Sequence, residues 1–311
     1  MRIVFMGTPD FAVPSLKALV DAGHEVPLVL TQPDRPKGRG NRIAYSEVKE
    51  AALALNLPLY QPQNLKDEES AERIGKEKPD VIAVAAFGQL LPKQILDIPR
   101  LCCVNVHASL LPKYRGASPI QWTVLNGDKE GGVTIQKMAE GLDTGDILSQ
   151  RSLELATDET AGSLFEKLSV LGASLLTKTL ELLEQGKIVP RPQDEALATK
   201  TGRIDKSFGR IDWEQSAVEL ERFIRAMDPW PGSYTFLQGR MFKLKAAEPV
   251  PTETKGAPGT VLSADERGIL IAAGDGALLL KTVQLEGKKA MDAAEFLRGH
   301  AVRVGEVLKT T

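Results

Sequence analysis

The sequence predicts an α/β fold in which a Rossmann-like domain with a parallel sheet precedes a smaller domain that forms a β-barrel. In the first part of the chain, apolar strand-like runs alternate with helical patterns, which is typical of a parallel sheet. After residue 206, short strand-like runs follow one another between glycine-containing turns, which favours a small barrel. A chain of 311 residues is long enough for both domains.

The first domain is expected to span residues 1–189. Its strands are predicted where apolar residues run together, at 2–6, 26–31, 80–86, 101–107, 133–136 and 147–153. Its helices are predicted at 11–22, 46–55, 68–76 and 161–185. Gly7 is expected to end the first strand and Gly23 the first helix, because glycine readily adopts the backbone angles found at such ends.

A linker is expected at residues 190–206, because this stretch begins Pro190-Arg191-Pro192 and lacks apolar periodicity. The second domain, residues 207–311, should open with a helix at 214–227 that is capped near Asp212 and stopped by Pro229. Its five strands are predicted at 234–237, 240–246, 259–263, 268–273 and 277–285.

The composition argues against several classes of protein. The net charge is -2, so any contact with RNA must come from local basic patches. No apolar run reaches the roughly 18 residues that a membrane span needs, and Met1–Met6 is too short for a signal peptide. We therefore expect a cytoplasmic protein with no membrane contact. Cys102 and Cys103 are adjacent and are expected to be buried strand thiols.

The turn after the first strand, Gly7-Thr8-Pro9-Asp10, lacks the Gly-x-Gly-x-x-Gly pattern of dinucleotide-binding domains. A Rossmann-like shape therefore does not imply NAD here. No histidine and cysteine cluster has the spacing of a metal site, so no metal is predicted.

Three polar side chains suggest chemistry at the end of the fourth strand. Asn105 and His107 are two residues apart, which on a strand places both side chains on one face, and Asp143 follows about forty residues later. Such groups can stabilise an oxyanion, shuttle a proton and orient the shuttle, which suits acyl transfer to an amine. Taken singly, each also fits an ordinary structural role at a strand end, in the core or in a turn.

The motifs resemble the folate-dependent formyltransferase family. The resemblance rests on Asn105-x-His107-x-Ser109-Leu110-Leu111-Pro112, then Tyr114-Arg115-Gly116 and Gly141-Leu142-Asp143-Thr144-Gly145-Asp146. Further segments are similar to the branch that formylates initiator methionyl-tRNA: 7–12, 32–40, 209–213 and 228–231. The resemblance covers nearly the full length, although Asp228 stands where that branch usually has asparagine.

The resemblance implies a reaction, its residues and an OB-like second domain. Asn105 and His107 would stabilise the oxyanion and shuttle the proton, and Asp143 would orient and charge His107. The co-substrate would be 10-formyltetrahydrofolate, contacted by Phe87, Gly88, Gln89, Leu90, Ser109, Leu110, Leu111 and Pro112. The partner would be initiator methionyl-tRNA, bound by Arg35, Lys37, Arg39, Arg42 and Lys206. A solvated surface loop is the alternative for the basic stretch, and we expect a monomer.

Two other functions remain open at this point. The same three catalytic groups would serve a folate formyltransferase or hydrolase that acts on glycinamide ribotide, a sugar-nucleotide amine or water. A non-catalytic RNA-binding protein built on an inactive enzyme domain is the third possibility, although intact Asn105, His107 and Asp143 speak against it.

Overall fold

A computed structural model describes residues 1–37, 42–252 and 256–309. The chain divides into two compact units. The first comprises Met1–Pro119, Glu130–Glu154 and Phe165–Thr201, and the second comprises Ile120–Lys129, Leu155–Leu164 and Gly202–Thr311. These are units of packing and not of function, so the expected domain borders around residues 190–206 stay a prediction.

The first unit is built on a seven-stranded sheet with two small strand pairs beside it. Its strands are β1 (Arg2–Gly7), β2 (Glu25–Leu30), β3 (Arg35–Lys37), β4 (Arg42–Ala44), β5 (Leu59–Tyr60), β6 (Val81–Ala85), β7 (Cys102–His107), β8 (Arg115–Gly116), β9 (Glu130–Lys137), β10 (Ile147–Glu154) and β11 (Lys200–Thr201). The sheet order is β10-β9-β7-β6-β1-β2-β5, while β3 pairs with β4 and β8 with β11. The five neighbouring strands β5, β2, β1, β6 and β7 are parallel, which confirms the predicted fold class. Strands β9 and β10 add an antiparallel edge.

The helices of the first two thirds of the chain are α1 (Val13–Asp21), α2 (Glu47–Ala54), α3 (Glu68–Lys76), α4 (Lys93–Leu96), α5 (Pro119–Leu125) and α6 (Ala161–Glu184). Side-chain caps set two of the starts: Ser46 accepts from the Lys49 amide and Asp67 from the Ser70 amide. None of the helices in the described ranges combines the length and apolar character that crossing a bilayer requires.

The central strands of the sheet are buried on both faces. Every residue of Val81–Ala85 is buried, and so are residues 3–7 of β1. Strand β1 lies between β2 and β6, so later parallel strands are added to the sheet on both sides of β1. The loops that follow the strands diverge at that point. Ligands of such sheets bind beyond the carboxyl ends of the strands, where polar side chains no longer have to be buried in the core.

The second unit contains an antiparallel sheet. Its strands are β12 (Ser233–Leu237), β13 (Arg240–Val250), β14 (Val261–Asp265), β15 (Gly268–Ala272), β16 (Ala277–Leu285) and β17 (Met291–Asp292), with α7 (Ala217–Ala226) and α8 (Ala293–Gly299) beside them. The order is β12-β13-β16-β15-β14, and β17 pairs with β16.

Residues 305–309 close this sheet into a barrel. Lys309 exchanges both backbone hydrogen bonds with Phe236 of β12, at 3.0 and 3.1 Å. At the opposite edge, Val261 of β14 donates to Glu306 at 2.8 Å and accepts from Gly305 at 2.9 Å. Both edge strands are therefore paired with one segment, and the predicted small barrel is confirmed.

The start of α7 differs from the prediction. The helix begins at Ala217, because Ser216 and Glu219 form a reciprocal capping box in which each side chain accepts from the other residue's backbone amide. Asp212, the expected cap, instead accepts from the Glu214 amide at 3.2 Å and holds a turn before the helix.

The two cysteines of β7 are free and buried, as expected. Burial raises the pKa of both thiols, since an apolar surrounding disfavours the thiolate. Because the thiolate is the reactive form, iodoacetamide at pH 8 should modify neither residue in the native protein and both in urea. Mass spectrometry reads the number of labels, and native labelling at the rate seen in urea would contradict the burial of this strand.

Candidate active site

The loops after three parallel strands meet at the carboxyl end of the sheet. Thr8, just after β1, donates its hydroxyl to the Phe87 carbonyl at 2.9 Å. Gln32, after β2, donates its side-chain amide to the same carbonyl at 3.3 Å. The loops that follow β1, β2 and β6 are thereby tied together at one end of the sheet, where β7 also ends.

His107, the last residue of β7, is only 6% exposed. Its Nε2 lies 3.0 Å from the Tyr114 carbonyl oxygen, and its Nδ1 lies 3.6 Å from Oδ1 of Asp143. Both neighbours are oxygen acceptors, so an imidazolium can donate in both directions. The distance to Asp143 exceeds that of a hydrogen bond, and such contacts often tighten only when substrate binds. The predicted pair therefore lies together.

The carboxylate of Asp143 is held by a donor at each oxygen. Oδ1 accepts from the side-chain amide of Gln136 at 2.8 Å, and Oδ2 accepts from the backbone amide of Gly116 at 2.8 Å. Asp143 itself has a φ of +53°, an uncommon backbone angle for a residue other than glycine. The carboxylate thus has a fixed position beside His107.

Asn105 shares the sheet face of His107, two residues away along β7. Across the antiparallel pairing with β9, Asn105 stands opposite Gln136 and His107 opposite Thr134. Among the described residues, the side-chain amide of Asn105 has no hydrogen-bond partner, and the buried Oε1 of Gln136 has none either. Two amides with unused hydrogen-bonding capacity therefore face each other beside the His107–Asp143 pair.

The part played by Gln136 was not predicted from the sequence. The signal was present, since a glutamine ends the apolar run Val133-Thr134-Ile135-Gln136 that was predicted as a strand. A buried amide needs hydrogen-bond partners, and its donation to Asp143 explains why this position is polar.

The expected folate segment 87–90 is divided between the core and the surface. Phe87 is buried in the same apolar cluster as Leu91, so its ring faces the core. Gly88 is exposed with a φ of +86°, and Gln89 donates to the Pro62 carbonyl at 3.4 Å. Leu90 is 68% exposed, which is unusual for a leucine beside a core residue. Contact of this segment with folate stays a prediction.

The second expected folate segment, 109–112, is fixed by its own hydrogen bonds. The Ser109 hydroxyl donates to the Lys113 carbonyl at 2.6 Å, and the Ser109 carbonyl accepts from Thr134. The Leu111 amide donates to the same Thr134 hydroxyl at 3.0 Å, whereas Leu110 and Pro112 are partly exposed. Ser109 and Leu111 thus shape the turn, and Leu110 and Pro112 keep accessible surface.

The basic stretch expected to bind tRNA includes a short hairpin. Arg35 pairs with Ala44 and Lys37 with Arg42 along β3 and β4, while Arg39 lies outside the described residues. Arg35 is exposed, and in the second unit Lys206 is exposed immediately before the short 3-10 helix at Ser207–Gly209.

Asp34 anchors the base of this hairpin. Its carboxylate accepts from the Lys49 ammonium at 2.5 Å and from the Gln61 amide at 2.8 Å. The hydrogen bond from Lys49, with that from Gln61, holds the pKa of Asp34 below its usual range. The base of the hairpin therefore carries an ion pair between Asp34 and Lys49.

Comparison with known proteins identifies the family. The sequence profile of formyl transferases matches residues 1–180, and the profile of the formyl transferase C-terminal domain matches residues 203–301. The chain belongs to the formyl transferase family. A methionyl-tRNA formyltransferase from Agathobacter rectalis is 50% identical to this formyl transferase over 305 residues, which are 98% of each chain.

Solved structures share the fold at lower identity. HypX from Aquifex aeolicus, in complex with tetrahydrofolic acid, is 22% identical with a TM-score of 0.63 over 96% of this formyl transferase, which spans only 47% of the HypX chain. An N-formyltransferase from Helicobacter canadensis, in complex with folinic acid and dTDP-3-aminofucose, is 17% identical with a TM-score of 0.64, covering 89% and 97% of the two chains.

The loop that carries Asp143 has no room for a side chain at Gly145. A Cβ atom there would lie 1.7 Å from the Lys137 carbonyl oxygen, so the loop must move. We expect Gly145→Ala to lower the free energy of unfolding by about 1–3 kcal/mol, as overpacking does. Gly75→Ala is the matched control, because a Cβ atom there meets nothing within 4 Å and alanine favours a helix. Urea unfolding measures both, and equal stabilities would contradict the crowding at Gly145.

Proposed function

We propose that this formyl transferase moves the formyl group of 10-formyltetrahydrofolate to the α-amino group of methionine on initiator methionyl-tRNA. The observation that carries the proposal is the extent of the similarity. Identity of 50% to a methionyl-tRNA formyltransferase runs over 98% of both chains, so it includes both units.

The reaction forms one bond and breaks another at the formyl carbon. The neutral amine attacks that carbon, and the carbonyl electron pair moves onto oxygen to give a tetrahedral oxyanion. When the oxyanion collapses, the bond to N10 of the folate breaks, and N10 takes up the proton that the amine loses. Catalysis therefore requires donors for the oxyanion and a group that carries this proton.

Asn105 and His107 fit these two requirements. The side-chain NH2 group of Asn105 donates to no described residue, and Asn105 lies on the same sheet face as His107. A protonated His107 would be a second donor to the oxyanion. To relay the proton, one ring nitrogen would exchange the acceptor it now faces, Tyr114 or Asp143, for the amine or N10.

Asp143 would orient and charge the imidazole. Its carboxylate faces Nδ1 while Gln136 and Gly116 hold both of its oxygens, so it can favour the imidazolium without rotating away. Gln136 thereby becomes an indirect contributor to the orientation of His107.

Co-substrate and tRNA are assigned to different sets of residues. We assign folate to the carboxyl end of the sheet, with residues 87–90 and 109–112 around it; Leu90 offers exposed apolar surface for the flat pterin ring. We assign tRNA contacts to Arg35, Lys37, Arg39, Arg42 and Lys206, whose charges suit phosphates. We also propose that the protein is a monomer and acts in the cytoplasm.

A sugar-nucleotide amine is the second candidate acceptor, because a relative of the same fold is crystallised with dTDP-3-aminofucose. That relative is 17% identical, against 50% for the methionyl-tRNA formyltransferase. Catalytic groups alone do not separate the two acceptors, since both reactions are formyl transfers to an amine.

The deciding experiment measures formyl transfer from 10-formyltetrahydrofolate to methionyl initiator tRNA, with uncharged tRNA, free methionine and a dTDP-amino sugar as parallel acceptors. We expect transfer to the charged tRNA alone. Transfer only to the amino sugar would replace the proposed acceptor, and transfer to none would refute the proposal.

His107→Ala should lower kcat on methionyl-tRNA by about 10²–10⁴-fold, because the proton relay is lost, while tRNA binding stays near that of the unchanged protein. His300→Ala is the control, since His300 in the second unit stacks on Phe296 and has no part in the proposed chemistry. Filter binding of tRNA separates the effects, and equal loss of binding and turnover would mark His107 as structural.

A further inference from the structure

Residues 191–201 are called the strap below. They form hydrogen bonds with the loops of the catalytic site, although their sequence resembles a linker. The strap begins where Arg191 and Ile147 exchange backbone hydrogen bonds at 2.8 and 2.9 Å. It ends in β11, where Lys200 pairs with Arg115 and Thr201 with Gly116. Every partner named here belongs to the first unit.

Gln193 joins the strap to the loop that carries Asp143. Its side-chain amide donates to two backbone carbonyls, those of Asp143 and Gly145, both at 2.7 Å. Its Oε1 accepts from Nε of Arg115 at 2.9 Å. One side chain thus ties together the loop of Asp143 and the segment that contains Tyr114 and Gly116.

Glu195 completes the hold on Arg115. The two carboxylate oxygens accept from the two terminal guanidinium nitrogens of Arg115 at 2.9 and 2.7 Å, a bidentate pair. The hydrogen bonds from Arg115 hold the pKa of Glu195 below its usual range, so the pair is charged at neutral pH. Arg115 is buried, and the strap supplies the acceptors that a buried guanidinium requires.

Thr199 holds Tyr114, the residue whose carbonyl lies at Nε2 of His107. Its hydroxyl accepts from the Tyr114 amide at 2.8 Å, and its carbonyl accepts from the Arg115 amide at 2.8 Å. Tyr114 has a φ of +61°, so its backbone needs such support. The Tyr114 carbonyl, 3.0 Å from Nε2 of His107, is positioned by this contact.

The strap therefore supports the partners of both ring nitrogens of His107. Thr199 fixes Tyr114 at Nε2, and Gln193 fixes Asp143 at Nδ1. Thr201 adds a third restraint, since its hydroxyl donates to the Arg115 carbonyl at 3.2 Å, next to Gly116, whose amide holds Asp143.

We propose that the strap is part of the catalytic site, and that Gln193 and Thr199 are positioning residues that set the orientation of His107. The inference rests on the proposed function, because it concerns the step in which His107 moves a proton. Misplacement of a catalytic group by about 1 Å can cost about 100-fold in rate, so supports of this kind affect turnover more than binding.

Two substitutions in the enzyme each remove hydrogen bonds of one side chain and keep its shape. Gln193→Glu can still accept from Arg115 but cannot donate to the two carbonyls. Thr199→Val keeps the branched side chain and loses the acceptor for the Tyr114 amide, and Thr199→Ser restores that acceptor. Gln185→Glu is the matched control, because Gln185 is exposed and, among the residues that the structure describes, its side-chain amide contacts only Glu181, at 3.5 Å.

We expect Gln193→Glu and Thr199→Val to lower kcat for methionyl-tRNA by about 10- to 100-fold, with KM for tRNA and folate within about twofold. Thr199→Ser should recover most of the loss, and Gln185→Glu should match the unchanged enzyme. Unchanged kcat in both folded variants, or a loss that only follows the folded fraction from thermal unfolding, would overturn the proposal. If one variant does not fold, the other decides.

A second measurement needs no substrate and separates this inference from the proposed function. The chain has three histidines, so their imidazole NMR signals can be followed individually at a fixed pH. Thr199→Val, which adds no charge, should shift the imidazole signals of His107 and leave those of His300 in place. An unshifted His107 would overturn the role of the strap. Absence of formyl transfer in the unchanged enzyme would refute the function alone.

Discussion

The carboxylate of Asp143 is the constraint on which the candidate active site depends. The side chain is only 11% exposed, and a buried carboxylate is tolerated only where donors satisfy it. Those donors come from β9, through Gln136, and from β8, through Gly116. Three separate strands, β7, β8 and β9, must therefore be in place before the carboxylate can face His107.

The sheet supplies the rigidity that this arrangement needs. β6 and nearly all of β1 are fully buried, so the ends of the strands are fixed by packing on both faces. Polar side chains appear where that packing stops. β9, the antiparallel strand next to β7, then places Gln136 opposite Asn105.

Much of this was readable in the sequence, because burial imposes a pattern on long elements. The alternation of apolar runs and helices predicted the sheet, and the spacing of Asn105 and His107 predicted their shared face. The strap was not predictable, since its contacts use single polar side chains and two-residue strands that carry no periodicity. The start of α7 was misplaced for a local reason: both Asp212 and Ser216 can cap, and only the reciprocal bond with Glu219 decides between them.

The closure of the barrel has a consequence for the order of events during synthesis. Residues 305–309 pair with both β12 and β14, so both edges of that sheet stay open while a ribosome is still translating the codons before Gly305. Open edges are the places where nascent chains pair wrongly with one another. The first unit is complete at Thr201 and has no such dependence, so a stalled chain would carry a finished first unit and an unfinished barrel.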